Sequence, residues 1–197
     1  MTEPIDVRER RAICDLLVEL GPDAPTLCEG WTTADLAAHL VLREHYRRWS
    51  DAQRALEKAK GYPALIARLR AGAPLVPWRL PRIRNVFNGL EYFIHHEDVR
   101  RANGRGPRPQ ADDVEALYWR MLGYTTRRVA RRLRPYGLEL VLPDGRRHTF
   151  GSGAMARLTG PASELGLYLA GRRTTAQVAL TGDPKAIAAV EQADLSV

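Results

Sequence analysis

A glutamate and a histidine stand four residues apart in the segment NGLEYFIHHEDVRR, residues 88–101. If this segment is helical, Glu91 and His95 lie just over one turn apart and project from the same face. A second predicted helix, which begins near Thr33, carries His39 among apolar residues. Two imidazoles and one carboxylate can hold a single metal ion, and three protein ligands leave a position open for water or substrate. We therefore predict a mononuclear metal site formed by His39, Glu91 and His95.

The donor types narrow the identity of the metal ion but do not determine it. Nitrogen and oxygen ligands suit zinc, which we expect, and also nickel, cobalt or ferrous iron. Asp98 follows His95 by one turn. It either orients the other ring nitrogen of His95 or forms a surface ion pair with Arg101.

Simpler interpretations of the same residues stay open. A lone histidine on an apolar helix face is commonly a core residue, and an ion pair with an arginine is the alternative to a metal for a buried glutamate such as Glu91. His45 and His96 fall on other helical faces, so we assign neither to the site. His148 falls in a predicted hairpin and is given no role.

The elements that must position these residues follow from apolar periodicity, which predicts four long helices over residues 7–20, 33–56, 82–102 and 111–134. Residues 63–69 form only a short amphipathic piece. The core stripe of the third helix is predicted to comprise Ile83, Val86 or Phe87, Leu90 and Ile94. In the second helix, Arg43 and Arg54 are expected at the surface. Four such helices predict a four-helix bundle.

The periodicity changes after residue 135. Alternating residues from 138 to 150, interrupted by Pro143-Asp144-Gly145, predict a β-hairpin. Further strands are predicted at 156–159 and 176–181, with helices from Pro161 to Gly171 and over 185–193. The predicted fold is therefore α+β, with a metal-binding four-helix bundle at residues 1–135 and a small α+β domain at 136–197.

Composition excludes several classes of protein. The 197 residues are 45% hydrophobic and 27% charged, without an apolar run of the roughly 18 residues that span a membrane. No signal peptide is visible, so we expect a cytoplasmic protein, monomeric or homodimeric, with Cys14 and Cys28 reduced. The net charge of +7 makes nucleic acid a partner to consider, since basic residues bind phosphate. The one cluster of arginines, in residues 127–134, is better explained as a solvated helix face.

Two segments resemble a known family. Residues 26–40, TLCEGWTTADLAAHL, and residues 91–101, EYFIHHEDVRR, are similar to motifs of the mycothiol-dependent maleylpyruvate isomerase family, part of the DinB-like metalloenzyme superfamily. The second motif is especially similar to a metal-binding actinobacterial branch. Residues 160–172 resemble the family's carboxy-terminal domain, which is related in shape to sterol carrier proteins. The resemblance implies a metal bound by His39, Glu91 and His95, and it makes Arg172 the counterpart of a carboxylate-binding arginine; an ordinary helix-end arginine is the alternative.

The resemblance implies an enzyme in which a divalent metal activates mycothiol, the low-molecular-weight thiol of actinobacteria, as a co-substrate. Addition of the thiol to a cis double bond, rotation and elimination give isomerisation, whereas retention of the adduct gives thiol transfer. No catalytic residue beyond the metal ligands is required. The alternative is a non-catalytic metal-binding module that acts through a partner.

Overall fold

The computed structural model describes residues 3–45, 50–72, 81–109, 111–124, 126–193 and 195. The chain divides into two compact units, Met1–Arg108 and Pro109–Val197. Among the described helices, none is both long enough and apolar enough to cross a membrane. The architecture is α+β, as the sequence predicts.

The first unit is helical. Its described elements are α1 (Ile5–Leu20), α2 (Thr33–His45), α3 (Asp51–Lys58), α4 (Tyr62–Ala71) and α5 (Pro81–Ala102). Helix α1 packs along α5, and α2 packs against α4. Four of these helices contribute to one apolar core, which includes Ile13 and Leu17 of α1, Leu36 and Leu40 of α2, Leu65 and Leu69 of α4, and Tyr92 and Val99 of α5.

The four-helix bundle is therefore built from α1, α2, α4 and α5. The sequence instead suggested residues 111–134 as the fourth helix and treated residues 63–69 as a minor piece. Leu65 and Leu69 of this piece are 1% and 0% exposed, so α4 is a full member of the core. Periodicity shows that a helix has an apolar face but does not show which helix covers that face.

The predicted helix over 33–56 is interrupted. Ser50 has extended backbone angles, and its side chain accepts a hydrogen bond from the backbone N–H of Gln53. The Gln53 side chain accepts one in return from the backbone of Ser50, which completes a capping box. Helix α3 is thus a separate helix; residues 46–49 lie outside the described part of the chain.

Helix α5 is buried on more than the predicted stripe. Leu90 and Ile94 are only half-buried, whereas Tyr92, Phe93 and Val99 are buried. Ile83 and Phe87 lie in the part of α5 whose side chains are not described. Four polar residues of the same helix are also buried: His95, His96, Glu97 and Asp98. The stripe prediction was wrong for Leu90 and Ile94, because buried polar residues share the interior of α5 with its apolar residues. Apolar periodicity does not identify such polar groups, which are tolerated inside where they find partners.

The second unit combines helices with a sheet. Its described elements are α6 (Asp112–Tyr124), α7 (Thr126–Leu133), β1 (Gly137–Val141), β2 (Arg147–Phe150), β3 (Met155–Thr159), α8 (Ala162–Leu169), β4 (Ala179–Gly182) and α9 (Pro184–Gln192). The strand order is β2-β1-β3-β4. Strands β1 and β3 are parallel, and the other two pairs are antiparallel.

The predicted hairpin is confirmed, with Leu138 opposite Phe150. Helix α6 packs on α8, where a Cβ at Gly166 would lie 2.5 Å from the Tyr118 ring. Helix α7 packs on β1 and β2. These contacts group residues 109–135 with the sheet, whereas the sequence places the domain boundary after residue 135; that division of the chain stays a prediction.

Candidate metal centre

The three predicted ligands come together in the first unit. His39 lies on α2, and Glu91 and His95 lie one turn apart on α5. Oε1 of Glu91 is 3.2 Å from Nε2 of His95 and 3.6 Å from Nε2 of His39. The imidazole rings of the two histidines meet edge to face, with centroids 5.3 Å apart. One donor atom from each residue lies within 4.8 Å of the others.

The beginning of α2 fixes the position of His39. Asp35 accepts hydrogen bonds from the backbone N–H and hydroxyl of Thr32, at 3.2 and 2.9 Å, which caps the helix. The Trp31 ring lies 5.1 Å from the His39 ring, and the Arg54 guanidinium covers Trp31 at 4.5 Å. Arg54 also pairs with Asp35 at 3.2 Å, and its side chain is only 18% exposed, so the sequence-based placement of Arg54 at the surface was wrong.

The spacing of the donor atoms suits a metal ion. Nitrogen and oxygen atoms bound about 2.0–2.2 Å from a tetrahedral zinc lie roughly 3.3–3.5 Å from each other. The distances from Glu91 to His95 and His39, 3.2 and 3.6 Å, bracket this value. The donor set is the borderline nitrogen and oxygen type that also accepts nickel, cobalt and ferrous iron. These residues therefore fit a divalent ion in donor type and in the two distances from Glu91.

The charges of the site are strongly coupled. Burial raises the pKa of Glu91, but the nearby His39 ring, a hydrogen bond with His95 and the charge of Arg43 outweigh it, so this pKa lies well below its usual range. Burial lowers the pKa of His95, but hydrogen bonds with Asp98, Cys28 and Glu91 hold it well above its usual range. The pKa of His39 is lowered, mainly by burial. The site thus offers a carboxylate and a neutral imidazole, and His95 would release a proton on binding a metal.

Arg43 belongs to this site, although the sequence suggested a surface position. Its Nε is 3.1 Å from Oε1 of Glu91, and its NH1 donates to Oδ1 of Asn88 at 2.8 Å. Its side chain is 22% exposed. The arginine ion pair that was the alternative to a metal is therefore present beside the two histidines, on the same carboxylate oxygen.

Asp98 contacts the far side of the His95 ring. Its Oδ2 lies 3.0 Å from Nδ1 of His95, and the carboxylate is fully buried. A neutral imidazole has one N–H and one lone pair. Donation from Nδ1 to Asp98 leaves the lone pair of Nε2 directed to the side of Glu91 and His39. The position agrees with the orienting role considered for Asp98.

Cys28 is a residue that sequence reasoning did not assign to the site. Its Sγ lies 3.4 Å from Oδ2 of Asp98 and 3.8 Å from Nδ1 of His95. Cys28, His95 and Asp98 form a second group of possible metal donors. With the proton of His95 on Nδ1, this side of the ring has no lone pair for a metal, and the group containing His39 and Glu91 is then the better metal site. Cys28 and Cys14 are both free thiols, as predicted.

The remaining candidates lie elsewhere. His96 is buried and belongs to neither donor group; burial and then the charges of Arg108, Arg100 and Arg105 lower its pKa to about 3. Nδ1 of His45 lies 2.8 Å from the Val41 carbonyl oxygen. His148 stacks on Trp119 in the second unit. Arg172 follows α8, where its NH1 donates to the Ala170 carbonyl at 2.6 Å; its substrate-binding role stays a prediction.

The fold places the chain in a class of α+β proteins that join a helical bundle to a small mixed sheet. The same fold occurs in the crystal structure of a mycothiol-dependent maleylpyruvate isomerase, with a TM-score of 0.56 and 18% sequence identity over 92% of this chain and 96% of that chain. A histidine-to-alanine mutant of such an isomerase gives a TM-score of 0.55 at the same identity and coverage. The fold implied by the sequence resemblance is thereby confirmed. No protein-family model and no curated protein matches the chain.

Proposed function

We propose that this protein is a divalent-metal enzyme that uses a small thiol, in the first instance mycothiol, to attack an electrophilic substrate. The observation that carries the proposal is the His39, Glu91 and His95 donor group, held on two helices within 4.8 Å. The solved structures that share the fold are named as mycothiol-dependent isomerases, which supports a thiol as the co-substrate.

The chemical contribution of the metal would be to activate the thiol. A thiol bound to a divalent ion is held as the thiolate near neutral pH, and the thiolate is the nucleophilic form. His39 and Glu91 contribute neutral and anionic donors, and Asp98 keeps the proton of His95 on Nδ1. With three protein ligands, the site retains a position for the thiol. No protein side chain is needed as the nucleophile.

The proposed reaction begins with addition of the thiolate sulfur to one carbon of a cis double bond conjugated to a carbonyl, as in a maleylpyruvate-like substrate. The electron pair of the double bond moves onto the conjugated carbonyl, and the former double bond becomes free to rotate. Return of that pair expels the thiolate and leaves the trans isomer. If the adduct takes up a proton instead, the outcome is thiol transfer. Arg172 is the predicted partner for a substrate carboxylate.

Activity should require both metal and thiol. The test is to load the purified full-length protein with zinc, or with nickel or cobalt in parallel, and to follow a maleylpyruvate-like substrate by absorbance with and without mycothiol. Turnover that depends on thiol and is absent from Glu91→Gln supports the proposal. Stoichiometric metal without thiol-dependent turnover across isomerisation and conjugation substrates would favour the non-catalytic metal-binding module.

A further inference from the structure

A pocket in the second unit lies between the end of α7 and the turn after β2. It has a volume of about 740 Å³, within the roughly 300–1,000 Å³ typical of small-molecule sites. The residues that matter for its chemistry are Arg131, Arg134, Tyr136, Gly151 and Ser152. All belong to one compact unit and none takes part in the candidate metal centre.

The pocket is positively charged. Arg131 lies in the last turn of α7 and Arg134 directly follows the helix; both are exposed and both line the pocket. Among the described residues that line the pocket, none is acidic. The surrounding sequence from residue 116 to residue 138 contains six arginines and no aspartate or glutamate. Arg134 forms no ion pair with any residue that the structure describes. Its guanidinium is therefore available to an anionic ligand.

A glycine-flanked turn forms the opposite wall. Gly151 and Gly153 have φ angles of +78° and +81°, which side chains other than glycine rarely adopt. A Cβ at Gly151 would lie 2.8 Å from the Tyr136 carbonyl oxygen, and one at Gly153 would lie 2.7 Å from the Pro135 carbonyl oxygen. The two glycines therefore let the turn close against residues 135–136. This close approach holds Ser152 at the pocket.

The turn has hydrogen-bond donors to offer. Within the described chain, no residue accepts a hydrogen bond from the backbone N–H of Ser152 or Gly153. Successive N–H groups in a tight turn form a concave site that suits an anion, and the Ser152 hydroxyl adds a third donor. Guanidinium groups bind phosphate oxygens through paired hydrogen bonds.

We propose that this pocket binds a small molecule that carries a phosphate group. Arg131 and Arg134 neutralise the phosphate, and the Ser152 hydroxyl and the turn N–H groups donate to its oxygens. Ala130 and Pro135, which also line the pocket, offer apolar surface to the rest of the ligand. The proposal is independent of the metal centre and of the proposed reaction.

A small ligand explains the pocket better than a nucleic acid does. A polynucleotide would draw on every exposed arginine of α7, including Arg128, which does not line the pocket. A ligand seated in the concavity depends instead on Arg131 and Arg134. Arg128 is therefore a control on the same helix that removes the same charge.

The test is a titration of the ¹⁵N-labelled full-length protein with inorganic phosphate at constant ionic strength, followed by amide chemical shifts. We expect saturable shifts of the Gly151, Ser152 and Gly153 amides. Arg131→Gln and Arg134→Gln should each weaken binding about tenfold, the effect of losing a charge-assisted hydrogen bond. Arg128→Gln should weaken it less than about twofold. Circular dichroism checks that each variant is folded.

Citrate and a short single-stranded oligonucleotide form the other arms of the experiment. Absence of saturable shifts at the turn would overturn the proposal, as would an equal loss of phosphate binding in Arg128→Gln and Arg134→Gln. Tighter binding of citrate than of phosphate would reject the phosphate in favour of a carboxylate ligand. Oligonucleotide binding weakened equally by all three substitutions, without phosphate binding at the turn, would assign the surface to nucleic acid.

Discussion

Nδ1 of His95 lies 3.0 Å from Oδ2 of Asp98, a carboxylate with no exposed surface. We predict that through this contact Asp98 keeps the proton of His95 on Nδ1 and leaves Nε2 available to a metal. The candidate metal centre would then depend on a residue that does not itself belong to the His39 group of donors.

Replacement of Asp98 by asparagine should weaken metal binding by roughly 10- to 100-fold, the range seen when the partner of a metal-binding histidine is removed. The amide keeps the shape of the carboxylate but loses its charge, so the His95 ring is less firmly oriented. Competition with a chromophoric chelator measures the affinity. Asp51→Asn, at an aspartate whose side chain is 93% exposed, is the matched control. Equal affinities in Asp98→Asn and wild type would contradict this role.

The two cysteines should differ in reactivity. Burial raises the pKa of Cys14 to about 12, whereas Cys28 is only partly buried. We expect iodoacetamide to modify Cys28 and to spare Cys14 in the folded protein, as measured by peptide mass spectrometry. Because Sγ of Cys28 lies 3.4 Å from Asp98, the modified protein should bind metal less tightly. Cys28→Ser should keep its metal affinity after the same treatment; an equal loss in this variant would contradict the explanation.

Removal of Arg43 distinguishes a structural ion pair from a metal site. Arg43→Met takes a positive charge away from Glu91 while keeping much of the side-chain volume. Without metal we expect the variant to lose about 1–3 kcal/mol of unfolding free energy, because Glu91 loses a partly buried partner. With metal the difference should shrink, and metal affinity should stay the same or increase. Urea unfolding with and without zinc tests this, and a loss of metal binding comparable to that of Glu91→Gln would refute it.

Stability in acid should depend on Asp35. Burial raises the pKa of Asp35, but hydrogen bonds from Lys58 and Thr32 outweigh it, so its folded-state pKa is depressed. The ionised side chain therefore stabilises the fold above the unfolded pKa of about 3.9, and this contribution is lost as the pH falls through the lower folded-state value. Asp35→Asn should cost about 1 kcal/mol at pH 7, with a difference from wild type that shrinks below about pH 4.

The measurement for Asp35 is urea unfolding of both proteins between neutral pH and pH 3. Asp23→Asn, at an exposed aspartate in the same unit, should show little change at any pH. A difference between wild type and Asp35→Asn that grows as the pH falls would have the wrong sign and would disprove the assignment.

The proximity of His39, Glu91 and His95 could be predicted because two of them are one helical turn apart and the third lies in a motif that resembles a known family. Arg43 and Cys28 could not be assigned in the same way. Arg43 reaches Glu91 across 48 positions of sequence, and Cys28 reaches Asp98 across 70. Neither contact produces a periodic pattern in the sequence, since each depends on how separate elements pack.

The fold shows the same limit. Alternation around Asp144-Gly145 was enough to predict the β1–β2 hairpin, because its partners are adjacent in sequence. The parallel pairing of Leu138 with Ala156 depends on a crossover and was not predicted. Likewise, the apolar residues Leu65 and Leu69 were visible, but the choice of α4 rather than residues 111–134 as the bundle's fourth helix is a matter of tertiary contacts.

The most direct test of the central claim is the metal content of protein purified without a histidine tag, measured by elemental analysis. We predict about one divalent ion per chain in the wild type, its loss in His39→Ala, Glu91→Ala and His95→Ala, and its retention in the control His45→Ala. A folded wild-type protein that stays free of metal after incubation with zinc, nickel or cobalt would contradict the account. In that case the role of Glu91 would be its ion pair with Arg43, without a metal.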